Sequence, residues 1–230
     1  MGVLAAAPAH AYELKEPQEG VFVRWHQNDV VLRLADDTGA VDRELLTHSL
    51  AIAADAWRHQ SAAPQVFIRE GGPSEPDPLD GINSVHVLDE WPTWRFGATL
   101  AVTISTYEPT GHLIDTDILI DGRTPLEVVA SADSPRFDLP SVLTHEVGHV
   151  LGLDESGVEG ATMWPTLRRG DITQRTLSED DVDGVIALYG DGAAGTTVEE
   201  FSCSTAPSAA HAWLVVMLLS LRGSRLDPKP

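Results

Sequence analysis

The chain reads as an α+β domain. Short apolar runs rich in β-branched residues occupy the stretch before Asp121, with one helical pattern among them, and two further helical patterns follow Asp138. A hydrophobic content of 43% over 230 residues is enough for one sizeable core.

Val30–Leu34 predicts the first strand and Gln65–Arg69 the second. Between them, Asp42–His59 predicts a helix, with Leu45, Leu46, Leu50, Ile52, Ala53 and Trp57 near helical spacing. Gly71–Asp80 carries three prolines and two glycines and predicts a surface loop. Gly97–Ser105 and Leu113–Ile120 predict two more strands. In the latter, Ile114, Thr116, Ile118 and Ile120 alternate with Asp115, Asp117 and Leu119, which suggests an edge strand with one wet face. Asp138 predicts an N-cap, Pro140 sits in the first turn, and Gly152 is placed to end that helix in a left-handed cap. Ser178 and Asp181 predict a capping box for the last helix, whose apolar stripe is Val182, Val185, Ile186 and Tyr189.

There are 35 acidic and 15 basic residues, giving a net charge of -20. That argues against nucleic acid as a partner, because phosphate binding needs clustered Lys and Arg. The one cysteine, Cys203, leaves no intrachain disulfide. Ala9-His10-Ala11 fits a signal-peptidase site with cleavage before Tyr12, so residues 1–11 read as a truncated signal peptide and 12–190 as the domain. Residues 191–209, dominated by Gly, Ser, Thr and Ala, read as a linker. Residues 210–230 hold an apolar run, too short to span a bilayer comfortably, and then Arg222 and Arg225. Cysteine, apolar helix and arginines in that order resemble the C-terminal sorting tail of myxobacterial surface proteins. A terminal helix packed on the domain would explain the apolar run as well.

The chemistry lies in His145-Glu146-Val147-Gly148-His149. Four residues apart on a helix, the two histidines share a face and can hold one ion. Glu146 is rotated away from both, placed to reach an attacking water rather than the metal. The arrangement fits metal-assisted hydrolysis with Glu146 as general base. The bare pattern also arises by chance on surface helices.

The stretch His145–Glu155 resembles the extended zinc motif of the metzincins, in which Gly152 lets the chain turn back to bring a third ligand to the metal. Ala161-Thr162-Met163-Trp164-Pro165 looks like the Met-turn, and Leu177–Gly190 is very similar to the closing helix of the matrixin branch. Arg24-Trp25 also looks matrixin-like. The resemblance runs from about Val21 to Gly190, strong in the last third and loose before Asp138. It implies a twisted mixed sheet of about five strands, three main helices, and a secreted or surface-anchored bacterial zinc endopeptidase, monomeric and acting on proteins or peptides. It also implies that an extended peptide adds antiparallel to the Leu113–Ile120 edge. Pro165, Thr166 and Leu167 would wall the pocket beyond the scissile bond, with an apolar side chain preferred.

The chain departs from the family at the third ligand, where Glu155 stands in place of histidine, with Asp154 as its rival. A carboxylate ligates zinc but makes it a weaker Lewis acid, so activity is expected to be reduced or shifted to alkaline pH. Two loop acids with no such role are the plain alternative. No cysteine precedes position 203 to serve the matrixin latency device. His86 and His112 are isolated and read as surface or packing residues. Asp115, Asp117 and Asp121 offer oxygens for calcium, and an acidic edge strand explains them equally well. Two other functions compete: a catalytically weak metzincin scaffold that binds peptides at the cell surface, and a structural zinc protein. The second is disfavoured because three ligands beside a base imply an open position.

Overall fold

The computed structural model describes residues 12–60 and 62–190, and the backbone of 215–224. The leader at 1–11 and the linker at 191–209 lie outside the described residues. Strand β1 is Tyr12–Leu14, β2 Asp29–Leu34, helix α1 Arg43–Arg58, β3 Gln65–Glu70 and β4 Ser84–Leu88. A single helical turn, α2 (Thr93–Phe96), leads into β5 (Thr99–Tyr107) and β6 (Leu113–Asp121). The short pair β7 (Leu126–Glu127) and β8 (Phe137–Asp138) precedes α3 (Leu139–Val150). Then come β9 (Leu153–Ser156), β10 (Thr166–Arg168), a 3-10 turn at Thr173–Arg175, α4 (Glu179–Tyr189) and β11 (Val215–Ser224).

Five of these strands form the expected mixed sheet in the order β5-β6-β4-β2-β3, and β11 and then β10 extend it beyond β5. Strands β2, β3, β4 and β6 run parallel, as α1 crossing from β2 to β3 requires, and β5 alone of the five is antiparallel. The register sets Val30 opposite Val66 and Leu32 opposite Ile68. Leu46, Leu50, Ala53 and Trp57 of α1 and Val142, Leu143, Val147 and Val150 of α3 share one apolar core with the inner strands.

Helix α3 starts where its cap predicts. The Asp138 carboxylate accepts from the Ser141 N–H at 2.9 Å, and Arg175 Nε donates to it at 2.7 Å. The helix ends where Gly152 takes φ +98°; a Cβ there would sit 2.4 Å from the Val23 carbonyl, so only glycine fits. Every residue of α3 is buried. The carbonyls of a last helical turn have no partner within the helix. Here Lys15 Nζ donates to the His149 carbonyl at 3.2 Å, Trp25 Nε1 to Val150 at 2.7 Å and the Tyr189 hydroxyl to Leu151 at 2.5 Å.

Two expectations are corrected. Leu113–Ile120 is not an edge: β6 lies between β4 and β5, and Asp115 and Asp117 are fully buried. The chain turns back so that β5 flanks β6 on the outer side. The two carboxylates tolerate burial because the Gly81 N–H donates to Asp115 at 2.9 Å and the Ser84 N–H to Asp117 at 3.1 Å. The apolar run expected as a helix from Ala210 is a strand at Val215–Ser224, pairing with β5. Short apolar runs are ambiguous between the two states, and an open sheet edge decides for the strand.

Candidate metal and catalytic centre

Helix α3 sets His145 and His149 one turn apart, with ring centroids 4.6 Å apart and planes nearly perpendicular. Each Nδ1 is tied to a backbone carbonyl, His145 to Thr162 at 2.8 Å and His149 to Leu153 at 3.0 Å. That fixes the tautomer and leaves each Nε2 as a lone pair without a hydrogen-bond partner. Burial holds the His145 pKa down to about 4, and burial together with His145 and Lys15 holds His149 well below its usual value. Both rings are therefore neutral at pH 7, as metal ligands must be.

After Gly152 the chain reverses into β9, which β1 holds in antiparallel register with Leu14 opposite Leu153. Glu155 thereby returns to the histidines. One of its oxygens is 3.5 Å from His145 Nε2 and the other 3.8 Å from His149 Nε2. Ligand atoms of His145, His149 and Glu155 all fall within 4.8 Å of one another. Asp154 is outside that group, with its carboxylate accepting from the Glu155 N–H at 2.9 Å. Two imidazole nitrogens and a carboxylate oxygen suit zinc, and the three protein donors leave a position open.

Glu146 is fully buried, and its Oε2 accepts from the Thr103 hydroxyl at 2.6 Å. Thr103 belongs to β5, so that strand itself positions the carboxylate. Met163 lies against the helix: a Cβ on Gly148 would come within 2.3 Å of its sulfur. The turn at Met163 is held from α4, where the Asp181 carboxylate accepts the Thr162 and Met163 N–H groups at 2.8 and 2.9 Å. The same carboxylate completes the expected capping box with Ser178. Of the three residues expected to wall a pocket, Leu167 is packed into the core, Pro165 is half-buried, and Thr166 borders a cavity of 380 Å³ with Trp164, Arg168 and Gln174.

Sequence reasoning passed over Thr103, Lys15 and the second role of Asp181. Lys15 is fully buried, its pKa lowered by burial to about 7, with Asp154, Glu146 and Glu155 acting against the shift. None of the three carries a local signal, because each acts on residues far away in the chain. Elsewhere, Asp121 pairs with Arg123 at 2.9 Å, while Asp115 Oδ1 and Asp117 Oδ2 have no hydrogen-bond partner. His86 is buried against Ser84, and His112 stacks on His26.

The family model for matrixin matches residues 24–190. Human matrix metalloproteinase-20 is 28% identical over 167 residues, 73% of this chain and 32% of that protein. Human neutrophil collagenase is 26% identical over 181 residues, 76% of this chain and 36% of that protein. Metalloendoproteinase 1-MMP of Arabidopsis thaliana is 54% identical over 53 residues, 23% of this chain and 14% of that protein. The chain thus spans about a third or less of the length of these relatives.

Proposed function

The chain belongs to the matrixin family, and from that premise we propose that it is a zinc endopeptidase with His145, His149 and Glu155 as metal ligands and Glu146 as general base. The observation that carries this reading is the convergence of the two free Nε2 atoms and the Glu155 carboxylate beside a buried Glu146. Zinc bound there would supply a Lewis acid for the scissile carbonyl and lower the pKa of water.

The residues of the chain divide the remaining work. Glu146 takes a proton from the attacking water and later delivers it to the leaving amine. Thr103 holds Oε2 of that carboxylate, which fixes the direction in which the proton moves. The carbonyls of Thr162 and Leu153 orient the two rings. A peptide extends along the outer side of β5, where main-chain pairing selects a polypeptide over a small ester. Thr166 borders the pocket beyond the cut, with Pro165 beside it and Leu167 packed behind in the core, and an apolar side chain there is the preferred occupant.

Calcium at the buried Asp115–Asp117 pair, secretion, and surface attachment through Cys203 and the apolar tail belong to the same proposal. The pair has carboxylate oxygens without hydrogen-bond partners, and the order of cysteine, apolar run and arginines in the tail resembles that of a sorting signal. Calorimetric calcium titration and fractionation of the expressing cell test these parts.

The main test is digestion of a mixed peptide library by the full chain, with chelator and Glu146→Ala controls. Cuts abolished by both are expected. A folded, zinc-loaded protein that cuts nothing would overturn the reading and leave a peptide-binding scaffold.

A further inference from the structure

The outer side of β5 is already taken. Strand β11 runs antiparallel to β5 from Val215 opposite Tyr107 to Arg222 opposite Thr99. On its other side β11 runs parallel to β10, with Arg222, Gly223 and Ser224 opposite Thr166, Leu167 and Arg168. It therefore bridges the strand that positions Glu146 and the strand that follows the Met163 turn. Leu219 lies opposite Thr103, the residue whose hydroxyl holds Glu146, so the backbone of β11 crosses at the level of the proposed base.

A sheet edge has one row of N–H and C=O groups, and two strands cannot pair with it at once. From this register we infer that Val215–Ser224 is a resident occupant of the peptide groove and inhibits the enzyme in cis. The inference rests on the endopeptidase reading for its consequence and on the strand pairing for its substance. The strand is joined covalently to the domain through residues 191–214, and intramolecular joining over a short span sets an effective concentration of about 1 mM. An intrinsic Kd about tenfold below that concentration would fill the groove about 10:1, and peptides in solution would then meet an open groove about one time in eleven.

The test uses the full chain and a Leu218→Pro, Leu219→Pro double variant. Alternate residues of an antiparallel strand point their N–H groups at the neighbour, so one of two adjacent prolines removes a pairing donor. The double variant is expected to cleave peptides with a kcat/KM about tenfold higher, mainly through a lower KM. A synthetic Val215–Ser224 peptide should inhibit the variant competitively, and amides of 99–107 should exchange faster in the variant. A fluorescently labelled Val215–Ser224 peptide supplies a readout that needs no turnover. Equal activity in both chains, with no binding of the labelled peptide to the variant, overturns the inference and leaves the endopeptidase reading intact. If neither chain cuts but the labelled peptide binds the variant and not the parent, the endopeptidase reading fails and the occupancy stands. If neither chain cuts and the labelled peptide does not distinguish them, both fail.

Discussion

Replacing Asp181 by Asn removes one acceptor from a carboxylate that four donors share. Met163 N–H bonds to Oδ1 at 2.9 Å; Thr162 N–H, Ser178 N–H and the Ser178 hydroxyl bond to Oδ2 at 2.8, 2.7 and 2.8 Å. The less costly orientation puts the new amide nitrogen against Met163 and leaves one buried N–H without an acceptor, which costs about 1–3 kcal/mol. The remaining bonds lose their charge assistance, for about 1 kcal/mol more. The sum, about 2–4 kcal/mol, lowers the Tm of a domain this size by about 4–16 °C. The effect reaches the metal, because the Thr162 carbonyl orients His145. Zinc affinity is expected to fall about 10–100-fold, as for other groups that orient a ligand. Thermal unfolding of the metal-free protein and a zinc titration against a chromophoric chelator measure the two effects separately. A Tm within about 2 °C of the parent and an unchanged zinc affinity would refute the claim that α4 fastens the turn beneath the site.

Gly148→Ala gains about 1 kcal/mol of helix propensity, yet its Cβ meets Met163 Sδ at 2.3 Å and Trp57 Cζ2 at 2.8 Å, an overpacking cost of about 1–3 kcal/mol. Calorimetry should show a lower Tm; a higher one would mean that propensity wins and the packing is loose. Glu155→Ala should weaken zinc binding about 100–1,000-fold, a quarter of the ~10–16 kcal/mol typical of a four-ligand site, and metal analysis after dialysis with no difference would move the third ligand to Asp154. Asp115 has its pKa raised to about 7, first by burial and then by Asp117. The folded state thus keeps a proton that the unfolded chain releases near 4, so stability from this group falls as pH rises between those values. Asp115→Asn, which keeps an acceptor for the Gly81 N–H, should raise Tm in chelator at pH 8 and lose most of that gain by pH 5; an equal difference at both pH values would contradict the shift.

Helix α3 was legible because its signals are local: Asp138 caps it, Gly152 ends it, and the histidines are spaced by its pitch. The competition between Glu155 and Asp154 was not, since which carboxylate returns to the histidines depends on how β1 aligns β9. The edge of the sheet was misassigned for a similar reason. The alternation in β6 describes two faces, whereas an edge is a property of strand order, and β5 flanks β6 with β11 and β10 beyond it. Thr103 and Lys15 are separated from the residues they touch by 43 and 134 positions, distances over which no periodicity speaks.

The carbonyls at the end of α3 are satisfied by Lys15, Trp25 and Tyr189, and the Tyr12 N–H reaches Asp180 across 168 residues. A chain synthesised from its N-terminus must therefore keep its first strand waiting until α4 has emerged. Closing such distant contacts is the slow part of folding. The proposed metal ligands can be brought near one another earlier, but β9 has no β1 to align it and the turn at Met163 has no Asp181 to hold it. Competence to bind metal tightly is thus a late event in the life of each molecule, and on the endopeptidase reading a growing chain is spared a proteolytic centre until nearly all of the domain has been made.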